Sequence, residues 1–213
     1  MLCRDAGFSP VFVRYNTGRP VAVNGRLLAE ALDDLVRRWP TPVSEVLLVG
    51  HSMGGLVARS ACTEHPSWLP LVRHVICLGT PHQGAPLAKL AEIVARALSV
   101  VDLPATRITA KILAARSAGI QDLQQGLPDV PPVPGVRYTF LVGTATADPD
   151  HPAAHVVGDG MVRKPSAASP AEGFPSETHA FGGVPHHRMQ CDPAVYAHLL
   201  GVWTASERAR TGV

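Results

Sequence analysis

At 213 residues and 22.5 kDa the chain is long enough for one compact domain with some length to spare. Hydrophobic residues make up 46% and charged residues only 17%, against a usual charged share of about 25%, which excludes intrinsic disorder over most of the length. A formal charge of +2 without runs of like charge removes the electrostatic signature of a nucleic-acid binder, and 19 glycines with 20 prolines exclude a coiled coil or plain helical bundle.

No segment reaches the roughly 18 uninterrupted apolar residues of a membrane span, because Arg59, Arg96, Asp102 and Arg107 cut the longest apolar stretches. Residues 1–7 place an Asp and a Gly where a signal peptide needs an apolar region, so cytosolic residence is the expectation. Cys3, Cys62, Cys77 and Cys191 have no paired spacing, which leaves a disulfide framework or zinc site unsupported. Cys62 and Cys77 read as buried thiols.

In chain order, Pro10-Val-Phe-Val-Arg-Tyr predicts a short strand, and Leu27, Leu28, Ala31, Leu32 and Leu35 recur at helical spacing over 21–39, a helix that Pro40 ends. Glu45-Val-Leu-Leu-Val-Gly is a continuous apolar run of strand length, as expected of a strand covered on both faces. A helix follows over 53–64, then a strand over 73–79, the loop Thr80-Pro-His-Gln-Gly, and helices over 86–101 and 105–118. Another strand is predicted over 136–143. Residues 145–175, rich in Pro, Gly, Ala and Ser, predict mostly loop. A weak strand over 177–181 and a last helix over 193–204 complete the series. Strands alternating with helices imply an α/β fold with a mainly parallel sheet, whose functional groups gather at the C-terminal strand ends.

Gly50-His-Ser-Met-Gly-Gly fits G-x-S-x-G between a buried strand and a helix, the context a nucleophile elbow needs. Ser52 must turn sharply with its hydroxyl presented, and Gly50 and Gly54 are expected to remove the resulting collisions. The backbone N–H of Met53, at the helix start, is then placed to stabilise an oxyanion. The phosphate-binding alternatives fail, since neither G-x-x-x-x-G-K-[ST] nor G-x-G-x-x-G is present here.

The run Leu48-Val-Gly-His-Ser-Met-Gly-Gly-Leu-Val-Ala-Arg-Ser resembles the elbow of α/β-hydrolase lipases and esterases, in particular the bacterial PGAP1-like group. Leu78-Gly-Thr-Pro-His-Gln-Gly-Ala-Pro resembles the loop after the next strand in those enzymes, and Arg14-Tyr-Asn-Thr-Gly-Arg their loop after the strand preceding the elbow. The resemblance spans nearly the whole chain. It implies a single α/β-hydrolase domain over 1–213 with a helical cap at about 86–134, acting on a small-molecule ester or lipid through an acyl-enzyme, without cofactor or metal.

A serine hydroxyl needs a His to take its proton and a carboxylate to orient that His, in the chain order Ser, acid, His. Residue position alone leaves Asp148, Asp150 and Asp159 open, with Asp148 nearest the strand end. Val157-Gly-Asp-Gly-Met-Val resembles the family element that carries the acid, which implies Asp159, with Asp150 in reserve. Of the late histidines, His198 falls in the last helix pattern and His179 in the weak strand. Gly182-Gly-Val-Pro-His-His-Arg-Met resembles the family segment that carries the base, which implies His186, with His187 beside it as the alternative. Adjacent side chains point apart, so only one of the two can serve. His51 is expected to line the acyl pocket or pack under the elbow, and His82 to shape the pocket floor or cap a turn. Leu87, Leu90, Ile93, Val94, Leu98, Ile112 and Leu113 are candidates for an acyl-binding wall.

Family members also carry an earlier strand ending in a His-Gly loop that donates a second oxyanion N–H, and no His-Gly dipeptide precedes the elbow here. The expectation is a fold short on its N-terminal side, with one oxyanion donor fewer and an uncovered sheet edge that favours self-association. The alternatives that follow are an impaired homologue serving as a binding module, or a thioesterase or acyltransferase on the same three residues.

Overall fold

The structure is a computed structural model and describes residues 2–86, 117–172 and 174–211. Its sheet has four strands, β1 (Val46–His51), β2 (Val72–Leu78), β3 (Arg137–Gly143) and β4 (Glu177–Phe181), all parallel and in sequential order. The register aligns Gly50, Cys77, Phe140 and Thr178 across the sheet. β2 and β3 are buried along almost their whole length, whereas β1, expected from its apolar run to be covered on both faces, is mostly half-buried with Val49 45% exposed, because among the described strands it stands at the end of the sheet.

Among the described residues the helices are α1 (Leu2–Ala6), α2 (Val21–Arg38), α3 (Met53–Thr63), α4 (Ala118–Gln125), α5 (Pro152–Val157), α6 (Lys164–Ala168) and α7 (Pro193–Thr211). α2 follows Pro20, and its first N–H, on Val21, donates to Asp122 Oδ2 at 2.6 Å, so a distant carboxylate caps the positive end of the helix. Its buried stripe of Val21, Asn24, Gly25, Leu28, Ala29 and Leu32 packs on α3, so closely at Gly25 that a Cβ there would overlap Ser60. α3 is buried on nearly every side, between α2 and the sheet. Trp68 is fully buried beside them and donates its indole N–H to the Ala29 carbonyl at 2.9 Å, which satisfies the one polar atom it takes into the core. A second core joins Ile76, Leu78 and Leu141 of the sheet to Val184, Met189, Val195 and Leu199 from the last loop and α7.

The structure departs from the sequence expectations in two further places, residues 10–15 and the end of the last helix. Residues 10–15 form no strand: Phe12 is 94% exposed, with Val11 and Val13 exposed beside it. β-branched composition favours extended backbone, but a strand exists only through its ladder, and this segment pairs with none of the described strands. Residues 145–175 are mostly loop, as expected, and hold the short helices α5 and α6, each with Pro at a first-turn position, where the missing N–H costs nothing. The last helix runs seven residues past its expected end, to Thr211. Of the helices expected over 86–101 and 105–118, all but Pro86, Ser117 and Ala118 lies outside the described residues, as do all seven candidates for the acyl wall.

Candidate active site

β1 ends at His51, and the chain reverses at Ser52 with φ 53° and ψ −127°, a left-handed conformation that costs a non-glycine residue about 1–3 kcal/mol. Two hydrogen bonds hold the turn there: Ser52 N–H donates to the Leu78 carbonyl at 2.9 Å, and Gly55 N–H donates to the Ser52 carbonyl at 3.1 Å. A Cβ on Gly50 would overlap the backbone of Gly54 and Gly55, and one on Gly55 would overlap Thr80 Oγ1. Gly54 meets only Tyr15 Oη, at 3.7 Å from an ideal Cβ. The pair of crowded glycines is therefore Gly50 and Gly55, and not Gly50 and Gly54 as the motif predicts. Met53 opens α3, so its N–H lies in the first turn, where the helix supplies no acceptor.

Asp159 follows α5 and is 2% exposed. Its Oδ1 accepts the N–H groups of Met161 at 2.9 Å and Val162 at 2.8 Å, which locks the side chain and leaves Oδ2 for a third partner. That partner is His186 Nδ1, at 2.6 Å, with His186 N–H also donating to the Asp159 carbonyl at 2.9 Å. A carboxylate accepts, so the proton sits on Nδ1 and the lone pair on Nε2. Nε2 is buried without a hydrogen-bond partner, so no bond joins it to Ser52 in this structure. His186 opens the 3-10 turn His186–Arg188 behind Pro185.

Room for this pair is made by two strand-end glycines. At Gly79, just past β2 and at φ 54°, a Cβ would lie 2.9 Å from Asp159 Oδ2 and 3.1 Å from His186 Nδ1. At Gly143, the end of β3, one would crowd the Val184 carbonyl and the Asp159 side chain. The Asp–His pair thus rests on the C-terminal edge of the sheet.

The other candidates stand apart. His187 is exposed. Asp148 is exposed and accepts the Asp150 N–H, while Asp150 pairs with Lys164 at 2.9 Å, which holds its carboxyl below the usual range. His179 and His198 pack against each other with ring centres 3.9 Å apart and planes tilted by 51°. His82 is fully buried: its Nδ1 accepts from Arg59 Nη1 at 3.1 Å, its ring lies 4.2 Å from that of Phe140, and its N–H donates to the Ser166 carbonyl. Arg59 also donates to the Val130 carbonyl at 2.7 Å and lies 5.1 Å over the Phe174 ring. His82 and Arg59 pin the loop after β2. Arg59 escapes sequence reasoning because a lone Arg in a helix ordinarily faces solvent.

The sequence pattern of the PGAP1-like alpha/beta domain matches residues 4–114. The chain belongs to that family. Among solved structures, the mature form of Bacillus licheniformis lipase BlEst2 is 22% identical with a TM-score of 0.57, over 92% of this chain and 80% of that one. Its propeptide form is 23% identical with a TM-score of 0.59, and this chain spans only 44% of its length. YbtT, a type II thioesterase from the Yersiniabactin NRPS/PKS biosynthetic pathway, is 16% identical with a TM-score of 0.56, over 88% of this chain and 75% of that one. No curated protein matches the sequence. The PGAP1-like domain and these likenesses establish the α/β-hydrolase fold. Among the described residues, no helix is long and apolar enough to cross a membrane.

Proposed function

We propose that this PGAP1-like domain is a serine hydrolase that cleaves carboxylic esters, as lipases and carboxylesterases do, with Ser52 as nucleophile, His186 as base and Asp159 as the group that orients it. The observation that carries the reading is the buried 2.6 Å bond from His186 Nδ1 to Asp159 Oδ2, at the same strand ends as the strained Ser52 turn. In this reaction Ser52 Oγ attacks the ester carbonyl carbon while His186 Nε2 takes its proton. The carbonyl oxygen becomes an oxyanion facing the Met53 N–H. The bond to the leaving oxygen then breaks, and His186 returns the proton to the departing alcohol. Water repeats the sequence on the acyl-enzyme and frees the acid. The substrate class is a small-molecule ester or lipid, and one domain with a cap at about 86–134 belongs to the same proposal.

Incubation of the folded protein with a fluorophosphonate probe tests it: adduct on Ser52, abolished in Ser52→Ala, is the expected result. Folded wild-type protein that takes no label would sink the hydrolase reading and leave a binding module. A panel of p-nitrophenyl esters and acyl thioesters then separates an esterase from a thioesterase, the class of the relative YbtT.

A further inference from the structure

His51 fills the free position of the elbow motif directly before Ser52, and both of its ring nitrogens are engaged. Nε2 lies 3.0 Å from the His186 carbonyl, and Nδ1 lies 3.0 Å from Gln190 Nε2. A carbonyl can only accept, so Nε2 carries the proton; Nδ1 is then bare and accepts from the Gln190 amide. One neutral tautomer satisfies both bonds. Burial holds the ring neutral by pushing its pKa down to about 4. The ring also faces that of His186, with centres 4.6 Å apart.

The two partners are the first residue of the turn His186–Arg188 and Gln190, two residues past its end, so His51 holds the start of that turn and the segment that follows it from the nucleophile side. The elbow is itself anchored to β2 through the bond from Ser52 N–H to the Leu78 carbonyl. His51 thereby ties the segment of His186 to the residue directly before Ser52, in addition to the bonds by which Asp159 holds the ring and the backbone of His186. Resting on the hydrolase reading above, we propose that His51 is a positioning residue that holds the His186 turn in register with Ser52. Its neutrality has a second use, because a charged ring at this distance would oppose the imidazolium that forms on His186 during turnover.

The test compares wild type, His51→Gln, His51→Phe and Gln190→Leu, using fluorophosphonate labelling, p-nitrophenyl butyrate kinetics and thermal melting. His51→Phe keeps a ring and removes both bonds; its kcat falls about 10–100-fold, the scale of a misplacement near 1 Å. KM stays within about threefold, since His51 touches no reacting atom. Glutamine can donate to one partner and accept from the other, so His51→Gln retains rates within about fivefold of wild type. Gln190→Leu, at an exposed position, loses about 3–10-fold in kcat and serves should His51→Phe fail to fold. Folded His51→Phe with wild-type kcat, or a loss carried wholly by KM, overturns the inference while leaving the hydrolase reading intact. Wild-type protein that neither labels nor turns over overturns both.

Discussion

Two histidines are buried to nearly the same degree, His82 at 0% and His186 at 4% exposed, and each has its Nδ1 bonded to a charged side chain. The partners differ in sign. Arg59 can only donate, so His82 Nδ1 must accept, and burial together with the nearby guanidinium holds that ring far below its ordinary pKa. Asp159 can only accept, so His186 Nδ1 donates and Nε2 presents a lone pair. Burial alone therefore does not separate an anchoring histidine from a candidate base. The charge of the group behind the ring does, since it decides whether the ring can carry a second proton.

The strongest way to break this contrast is to keep the shape of Asp159 and remove its charge. Asp159→Asn retains an oxygen for the Met161 and Val162 N–H groups but aims an amide at His186 Nδ1, which forces the proton onto Nε2. Fluorophosphonate labelling and ester turnover should fall by about 10⁴-fold, with the melting temperature little changed. Labelling within tenfold of wild type would remove Asp159 from the proposal.

Acid stability probes the rings that must stay neutral. His51 and His74 have pKa values lowered to about 4 by burial, and His82 lies well below its ordinary value. The unfolded chain protonates these rings near pH 6.5 and the folded one does not, so their stabilisation is complete above that pH and is lost as pH falls toward 4. Urea unfolding at pH 5 should give a stability lower than at pH 7 by about 2–3 kcal/mol from His51 and His74, taking about 1–1.5 kcal/mol per ring, with His82 acting in the same direction. Equal values at the two pH settings would contradict this.

Smaller in size, and opposite in kind to Asp159→Asn, is the effect of Arg59→Met. It keeps the length of the side chain but leaves the Val130 carbonyl and His82 Nδ1 without a donor, at a cost of about 2–3 kcal/mol. The melting temperature should drop by about 5–10 °C. Labelling of Ser52 below that temperature should stay within about threefold of wild type, and a specific loss of labelling at full stability would place Arg59 in the reaction instead.

The elbow was legible because a strained turn at a buried strand end restricts which residues can stand there, and that restriction leaves a short contiguous pattern. Only its second glycine was misassigned: Gly55 faces Thr80 and Gly54 faces open space beside Tyr15, a difference set by which side of α3 meets β2. The candidates Asp159 and His186 rest on chain order together with family resemblance, and residue spacing by itself leaves Asp148, Asp150 and His187 open. Gly79 and Gly143 carried no local signal, since what they leave room for comes from loops elsewhere in the chain. The segment 10–15 misled for the complementary reason: its composition suits a strand, and no described strand lies alongside to pair with it.

By itself the sequence determined the alternation of strands and helices, the parallel sheet and the sharp turn at Ser52, because each follows from local apolar periodicity and backbone sterics. Tertiary structure alone decided which histidine received a carboxylate, which received a guanidinium, and which, at position 51, bonds to the segment of the candidate base. Those outcomes depend on partners 27, 23 and 135 residues away in the chain. A hydrogen bond acts over about 3 Å of space, and no pattern within a short stretch of sequence encodes that distance.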